Sequence, residues 1–128
     1  MYGLPPEFDP TILVGRFLSS VSFGAGSVSL NFDQPKGPGE SNRISISVVG
    51  SYTSTTVDGV KVEGTAANPL SGTFLLRLLN LDVTSAEKMG RGDLLLRFGD
   101  AQDIRLIEDE TGFECYTICV PGEQPFVV

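Results

Sequence analysis

The feature that most constrains this chain is a period-two alternation of apolar and polar residues. It recurs at residues 17–23, 28–32, 44–48, 94–98 and 103–106. Such alternation is typical of a strand with one buried and one solvated face. The sequence therefore predicts a mainly β fold, in the sense of a β-rich α+β protein. The expected architecture is an antiparallel sandwich or partly open barrel of about seven to eight strands with one or two short helices.

Two short helical segments are expected between the strands. Asp9 is a favourable N-cap and Pro10 suits the first helical position, so one helical turn should run to Gly15. Ser71 can cap a second helix through about Leu79, whose leucines share one face.

The two halves of the chain look alike. Val28-x-Leu30-x-Phe32 matches Leu94-x-Leu96-x-Phe98 at an offset of 66 residues, and Ile44-x-Ile46 matches Ile104-x-Leu106 at an offset of 60. Each half also opens with a helical turn followed by a strand. The pattern indicates two helix-plus-three-strand units, with chance similarity between amphipathic hairpins as the alternative.

The length fits one domain, expected to span 1–128. Residues 1–9 are interpreted as an N-terminal arm because two prolines hold them extended. Residues 53–71 are rich in Ser, Thr, Gly and Ala and are predicted to be a flexible loop. A short hairpin around Asp58-Gly59 is the alternative for that segment.

The charge balance disfavours polyanionic partners. The chain has 9 Lys and Arg against 16 Asp and Glu, a net charge of −7, and its basic residues are scattered. Nucleic-acid binding depends on phosphate neutralisation, so neither nucleic acid nor an anionic membrane is expected as a partner. The N-terminus does not resemble a signal peptide and no apolar run is long enough to span a bilayer. A soluble, cytoplasmic protein is therefore expected.

The chain lacks the residues that most familiar catalytic mechanisms require. There is no histidine, which excludes Ser-His-Asp and Cys-His catalysis and histidine zinc sites. Cys115 and Cys119 lie four residues apart in an apparent strand, too far to bridge each other, and are expected to be buried free thiols. We expect no cofactor and no metal, and an enzyme that uses carboxylates alone is a minor alternative.

One acidic cluster is the candidate partner-binding site. It consists of Glu108, Asp109, Glu110 and Glu114. Such a patch would attract a basic protein partner, although a solvated turn is the simpler interpretation. The alternating acids of a calcium loop are missing.

Three aromatic residues are candidates for binding a small ligand. Tyr52, Phe113 and Tyr116 would line the mouth of a barrel if the strands close into one. The alternative for Tyr116 is that it belongs to the core together with Ile118.

The chain also resembles a family of small uncharacterised bacterial proteins. The resemblance rests on Tyr2-Gly3-Leu4-Pro5-Pro6-x-Phe8-Asp9, on Gly92-x-Leu94-x-Leu96-x-Phe98 and on the tail Glu114-x-Tyr116-Thr117-Ile118. Phe113 and Cys115 stand where Tyr and Ser would be in that family. The resemblance spans most of the chain except 53–70 and implies a bacterial cytoplasmic protein, without an activity or cofactor. The strand-rich tail is also similar to that of immunity-type proteins that neutralise toxins.

Together these features predict a non-catalytic protein-binding module, of the immunity or inhibitor type. A small-ligand-binding β-barrel is the alternative. A homodimer that pairs exposed strands across a two-fold axis is a further hypothesis.

Overall fold

A computed structural model describes residues 4–35, 42–99, 101–108 and 114–128. Within them, two antiparallel five-stranded sheets pack around a shared apolar core. The strands are β1 (Phe17–Gly24), β2 (Ser27–Asp33), β3 (Ile44–Val48), β4 (Ser51–Thr55), β5 (Lys61–Thr65), β6 (Val83–Met89), β7 (Asp93–Phe98), β8 (Gln102–Leu106), β9 (Tyr116–Cys119) and β10 (Phe126–Val127). Sheet A has the order β1-β2-β3-β9-β10 and sheet B the order β5-β4-β8-β7-β6. The prediction of a mainly β fold is confirmed, and the open sheets make it a sandwich rather than a barrel.

The chain passes from sheet A to sheet B directly after β3. β3 ends at Val48, and the chain crosses over to begin β4 at Ser51. The N–H groups of Val49 and Gly50 both donate to the Cys115 carbonyl, at 2.9 and 3.0 Å. A Cβ on Gly50 would lie 3.4 Å from that oxygen, so the crossing packs closely against Cys115.

The prediction of a loop at 53–71 is wrong, and the hairpin alternative is correct. β4 and β5 pair in register around a turn whose Gly59 has φ +80°. The segment looked like a loop because its inward positions carry small residues, such as Ser54 and Gly64. Pairing with β8 on the other edge of β4 supplies the stabilisation that its own sequence does not indicate.

Both predicted helices are present, and both are 3-10 helices. The first spans Pro10–Leu13, and the Asp9 carboxylate caps it by accepting the Thr11 N–H at 3.0 Å. The second spans Pro69–Leu78 and so begins two residues before the predicted cap, Ser71. The Ser71 hydroxyl instead accepts the Thr65 N–H. Neither helix among the described residues has the length and apolar character needed to cross a bilayer.

The two halves of the chain have the same architecture. Each has a helix, a three-stranded meander in one sheet, and a hairpin that adds to the meander of the other half. The β4–β5 hairpin of the first half extends sheet B, and the β9–β10 hairpin of the second half extends sheet A. The structure therefore contains an internal two-fold pseudosymmetry in which the halves exchange hairpins.

Reciprocal hydrogen bonds mark the place where the halves meet. The Gly15 N–H donates to the Val83 carbonyl at 2.9 Å, and the Asn80 N–H donates to the Leu18 carbonyl at 2.8 Å. Gly15 corresponds to Asn80, and Leu18 to Val83, so each bond is the counterpart of the other. β1 and β6 also each contain one register irregularity, just after Leu18 and just after Val83.

The observed pairing corrects one part of the sequence match. Leu30 pairs with Ile46 in the first half, and its counterpart Leu96 pairs with Ile104 in the second. Ile104 is therefore equivalent to Ile46, two residues from the proposed match to Ile44. The error arose because strands of period two match equally well after a shift of two residues.

The N-terminal arm is anchored where the structure describes it. Leu4 and Phe8 are buried, and the Phe8 ring centroid lies 5.1 Å from that of Phe126 on β10. The cysteines differ from each other: Cys115 is buried as predicted, but Cys119 is exposed. Cys119 is exposed because it lies on the outer surface of sheet A, beside Ser45 on β3.

Candidate functional site

On the outer surface of sheet A, the ion pair between Asp33 of β2 and Arg43, 3.1 Å apart, borders an area of short, uncharged side chains. These side chains form two rows that cross the strands at right angles, and we call this area the neutral face. The first row is Ser22, Ser29, Ser47, Thr117 and Val127, and the second is Ser20, Asn31, Ser45 and Cys119. None of these nine positions is charged, although the whole chain carries 9 basic and 16 acidic residues.

The pseudosymmetric surface of sheet B provides an internal comparison. Its corresponding rows are Glu87, Leu95, Arg105, Thr53 and Glu63, and Ser85, Arg97, Asp103, Thr55 and Lys61. Six of these ten positions are charged. Ion pairs lie across this surface, with Arg97 2.7 Å from Glu87 and Arg105 2.7 Å from Asp93. The same scaffold therefore accepts charges at these positions, so the geometry of the sheet does not explain their absence from the neutral face.

Hydrogen bonds between side chains organise the second row of the neutral face. The Asn31 amide donates to the Ser20 hydroxyl at 2.7 Å, and the Ser45 hydroxyl donates to the Asn31 amide oxygen at 2.6 Å. The Ser19 hydroxyl also donates to the Asn31 carbonyl. These bonds hold short side chains in fixed positions, so the face would lose little conformational entropy if another surface covered it.

The structure places two of the four predicted partner-binding residues, Glu108 and Glu114. Asp109 and Glu110 lie outside the described residues. Glu114 is exposed, and its carboxylate accepts a hydrogen bond from the Thr117 hydroxyl at 2.5 Å. Because Thr117 belongs to the neutral face, Glu114 puts a negative charge at the edge of that face.

Glu108 lies in a different environment, beyond the end of β8. Its N–H donates to the Asp93 carboxylate at 2.9 Å, and its own Oε1 is buried without a hydrogen-bond partner among the described residues. Glu108 is half-buried. It therefore differs from the fully solvated acid that the sequence suggested.

The predicted ligand-binding aromatics do not form one site. Tyr52 lies on β4 of sheet B and Tyr116 on β9 of sheet A; Phe113 lies outside the described residues. The Tyr116 hydroxyl donates to the Gly92 carbonyl, and the residue is fully buried next to Ile118. Burial, followed by the nearby Asp93 carboxylate, raises the pKa of Tyr116. Its assignment to the core is confirmed.

Tyr52 borders a surface cleft of about 350 Å³ between the β4–β5 hairpin and the second helix. The lining residues are Ser51, Tyr52, Thr53, Glu63, Gly64, Thr65, Ser71 and Ile107. The Tyr52 side chain is only 1% exposed, and its hydroxyl has no hydrogen-bond partner among the described residues. A buried hydroxyl without a partner costs about 1–3 kcal/mol, so this one requires an explanation. Burial raises the pKa of Tyr52, which keeps the phenol protonated.

Sequence reasoning missed the neutral face, although a signal for it was present. The positions of the neutral face between Ser20 and Ser47 hold only Ser and Asn, whereas the matching positions of the second half include Glu, Arg and Asp. Comparing the two halves position by position would have revealed this contrast. The cleft has no comparable signal, because it depends on the packing of the helix against β5.

Among the described residues, no three His, Cys, Asp or Glu side chains are close enough together to hold a metal ion. A scan against protein-family models, a search of curated proteins and a search of solved structures each gave no match to this chain.

Proposed function

We propose that this protein is a non-catalytic protein-binding module and that the neutral face is its contact surface. The observation that carries the proposal is the absence of charge from the nine positions of that face, on a scaffold whose other sheet carries charges at equivalent positions. The centres of protein interfaces are depleted in charged residues, because burying an unpaired charge is unfavourable. An ordinary solvated sheet surface would carry mixed charges instead.

The charge distribution favours a basic partner. The chain has a net charge of −7, and Glu114 lies at the edge of the neutral face. Acidic groups around a neutral centre would steer a basic protein towards the face and accelerate association at low salt. An inhibitor or immunity-type role follows if that partner is a basic enzyme or toxin. A bacterial source and a cytoplasmic location stay predictions from the sequence.

The test introduces one charge into the neutral face. Ser47→Arg is suitable because its counterpart in sheet B is Arg105, so the scaffold accommodates arginine at this position. Thr55→Arg on the outer surface of sheet B is the matched control, with the same added charge. Tagged wild type and both variants would be incubated with lysate of the source organism at low and at moderate salt, and retained proteins would be identified by mass spectrometry.

We expect one basic protein to be retained by the wild type and by Thr55→Arg, and lost with Ser47→Arg. Glu114→Lys should reduce its retention mainly at low salt, because steering by an exposed charge is screened by ions. Equal retention by Ser47→Arg and Thr55→Arg would exclude the neutral face as the contact surface. If sedimentation showed a wild-type dimer that Ser47→Arg dissociates, the partner would be a second copy and the basic-partner hypothesis would be wrong.

A further inference from the structure

The unpaired Tyr52 hydroxyl differs from its pseudosymmetric counterpart. Tyr52 pairs with Leu106 on β8, and Tyr116 occupies the equivalent position opposite Val48 on β3. The Tyr116 hydroxyl donates to a backbone carbonyl, whereas the Tyr52 hydroxyl is buried without any partner among the described residues. Of the two equivalent phenols, the Tyr116 hydroxyl therefore donates a hydrogen bond, and the Tyr52 hydroxyl donates none among the described residues.

Two glycines form the space around this phenol. A Cβ on Gly72 would lie 1.8 Å from the Tyr52 hydroxyl oxygen, and one on Gly64 would lie 2.6 Å from ring atom Cε2 and 3.0 Å from the hydroxyl. Gly64 also lines the cleft, together with Ser71, the neighbour of Gly72. The hydroxyl thus lies beside Gly64, which lines the cleft, and beside Gly72, the neighbour of the lining residue Ser71.

The other polar groups around the cleft limit what it can bind. The Ser71 hydroxyl accepts the Thr65 N–H at 3.0 Å and donates to the Asn68 carbonyl at 2.6 Å, so its hydrogen bonds are already used. Glu63 is the charged side chain of the lining and is exposed, which disfavours an anionic ligand. The protonated Tyr52 hydroxyl is available as a donor. A volume of about 350 Å³ suits a small organic molecule.

We propose that this cleft binds a small, uncharged organic molecule whose carbonyl oxygen accepts a hydrogen bond from the Tyr52 hydroxyl. The hydroxyl is screened from solvent in the free protein. Binding therefore requires a small outward shift of Ser71 and Gly72, which breaks the hydrogen bonds of the Ser71 hydroxyl to Thr65 and Asn68 but none that the phenol makes among the described residues. This site lies on sheet B and does not depend on the proposed protein-binding function of the neutral face.

The probe for the test is benzamide, a neutral molecule with one carbonyl acceptor, and benzoate is its anionic counterpart. Titrations would be followed by ¹H–¹⁵N NMR at the Gly64 and Gly72 amides in the wild type. Tyr52→Phe removes only the hydroxyl and retains the ring, so its fold should be preserved. Tyr116→Phe is the matched control on the opposite sheet.

We expect saturable shifts of both glycine amides with benzamide and much weaker shifts with benzoate. Tyr52→Phe should weaken benzamide binding about fivefold or more, the effect of one lost hydrogen bond, whereas Tyr116→Phe should leave the affinity unchanged. Absence of saturable shifts with benzamide, equal affinity in Tyr52→Phe, or equal binding of benzoate would each overturn the proposal. None of these results would affect the test of the neutral face, which uses different residues and a different readout.

Discussion

At the scale of single residues, the two equivalent tyrosines show how little of a side chain's role is determined by its position in the fold. Tyr52 and Tyr116 are both buried at the same place in opposite sheets. Among the residues that the structure describes, Tyr116 reaches a carbonyl, that of Gly92, and Tyr52 reaches none. Tyr116 therefore contributes to stability through its ring and its hydroxyl, and Tyr52 through its ring alone.

Removing each hydroxyl should have unequal effects on stability. Tyr116→Phe deletes a buried hydrogen bond and leaves the Gly92 carbonyl without that donor, so we expect it to lower the free energy of unfolding by about 1–2 kcal/mol. Tyr52→Phe removes an unpaired polar atom and should be neutral or slightly stabilising. Urea denaturation of both variants would measure this, and an equal loss in the two would contradict the assignment of the hydrogen bonds.

Tyr116 should also make the folded state sensitive to alkaline pH. Because its pKa is raised in the folded protein, this tyrosine contributes stability that is complete below its unfolded pKa of about 10. Above that pH the unfolded chain loses the phenolic proton while the folded protein keeps it. The free energy of unfolding should then fall by about 1.4 kcal/mol per pH unit from this residue. Urea midpoints measured from pH 9 to about 11 should decline less in Tyr116→Phe, and an identical slope would refute this role.

At the scale of elements, each helix is followed by a left-handed residue that leads into an irregular strand. Gly15 has φ +86° after the first helix, and Asn80 has φ +68° after the second. Both donate to a carbonyl of the other half, on Val83 and Leu18 respectively. The positive φ thus orients the N–H of each residue towards a carbonyl group of the other half.

Substitution at these two positions should separate backbone strain from packing. Gly15→Ala should destabilise by about 1–2 kcal/mol, because alanine is strained at this φ; a Cβ there would meet no atom within 4 Å, so packing adds nothing. Asn80→Gly relieves the same strain but makes the unfolded chain more flexible, so its stability should stay within about 0.5 kcal/mol of the wild type. Thermal unfolding of both variants would measure the difference, and a neutral Gly15→Ala would show that the turn can adopt another conformation.

At the scale of the whole molecule, the exchanged hairpins make the two halves interdependent. β4 and β5 belong to the first half but complete the sheet of the second, and β9 and β10 do the reverse. The core is likewise shared, since one cluster of buried residues includes Phe32 from sheet A and Phe98 from sheet B. Neither half can bury its apolar surface alone.

We therefore expect the separate fragments 1–67 and 68–128 to be unfolded and their equimolar mixture to fold. The division falls in the exposed turn at Ala67, before the second helix begins. Circular dichroism should show strand content and a cooperative thermal transition only in the mixture. Size-exclusion chromatography should detect a complex of one fragment of each kind. A fragment that unfolds cooperatively as a monomer would contradict the interdependence of the halves.

The alternation of residues was enough to predict the class of fold and most strands. Val28, Leu30 and Phe32 alternate with polar residues and lie inside, as expected, and so do Leu94, Leu96 and Phe98. The β4–β5 hairpin was assigned to a loop because its inward Ser54 and Gly64 are small, and strands without large apolar residues give no periodic signal. The predicted match of Ile44 to Ile104 was wrong by two residues, because register depends on pairing partners.

The sequence by itself determined the sheet-forming pattern, the caps and turns, and the acidic balance, since these depend on neighbours along the chain. Only the tertiary structure decided which sheet each hairpin joins, and thus that nine uncharged side chains from β1, β2, β3, β9 and β10 share one surface. It also decided that Tyr116 has a hydrogen-bond partner while Tyr52 has none within the part of the chain that the structure describes. The physical reason is that contacts between residues far apart in the chain depend on the packing of whole sheets and helices, about which alternation within one strand carries no information.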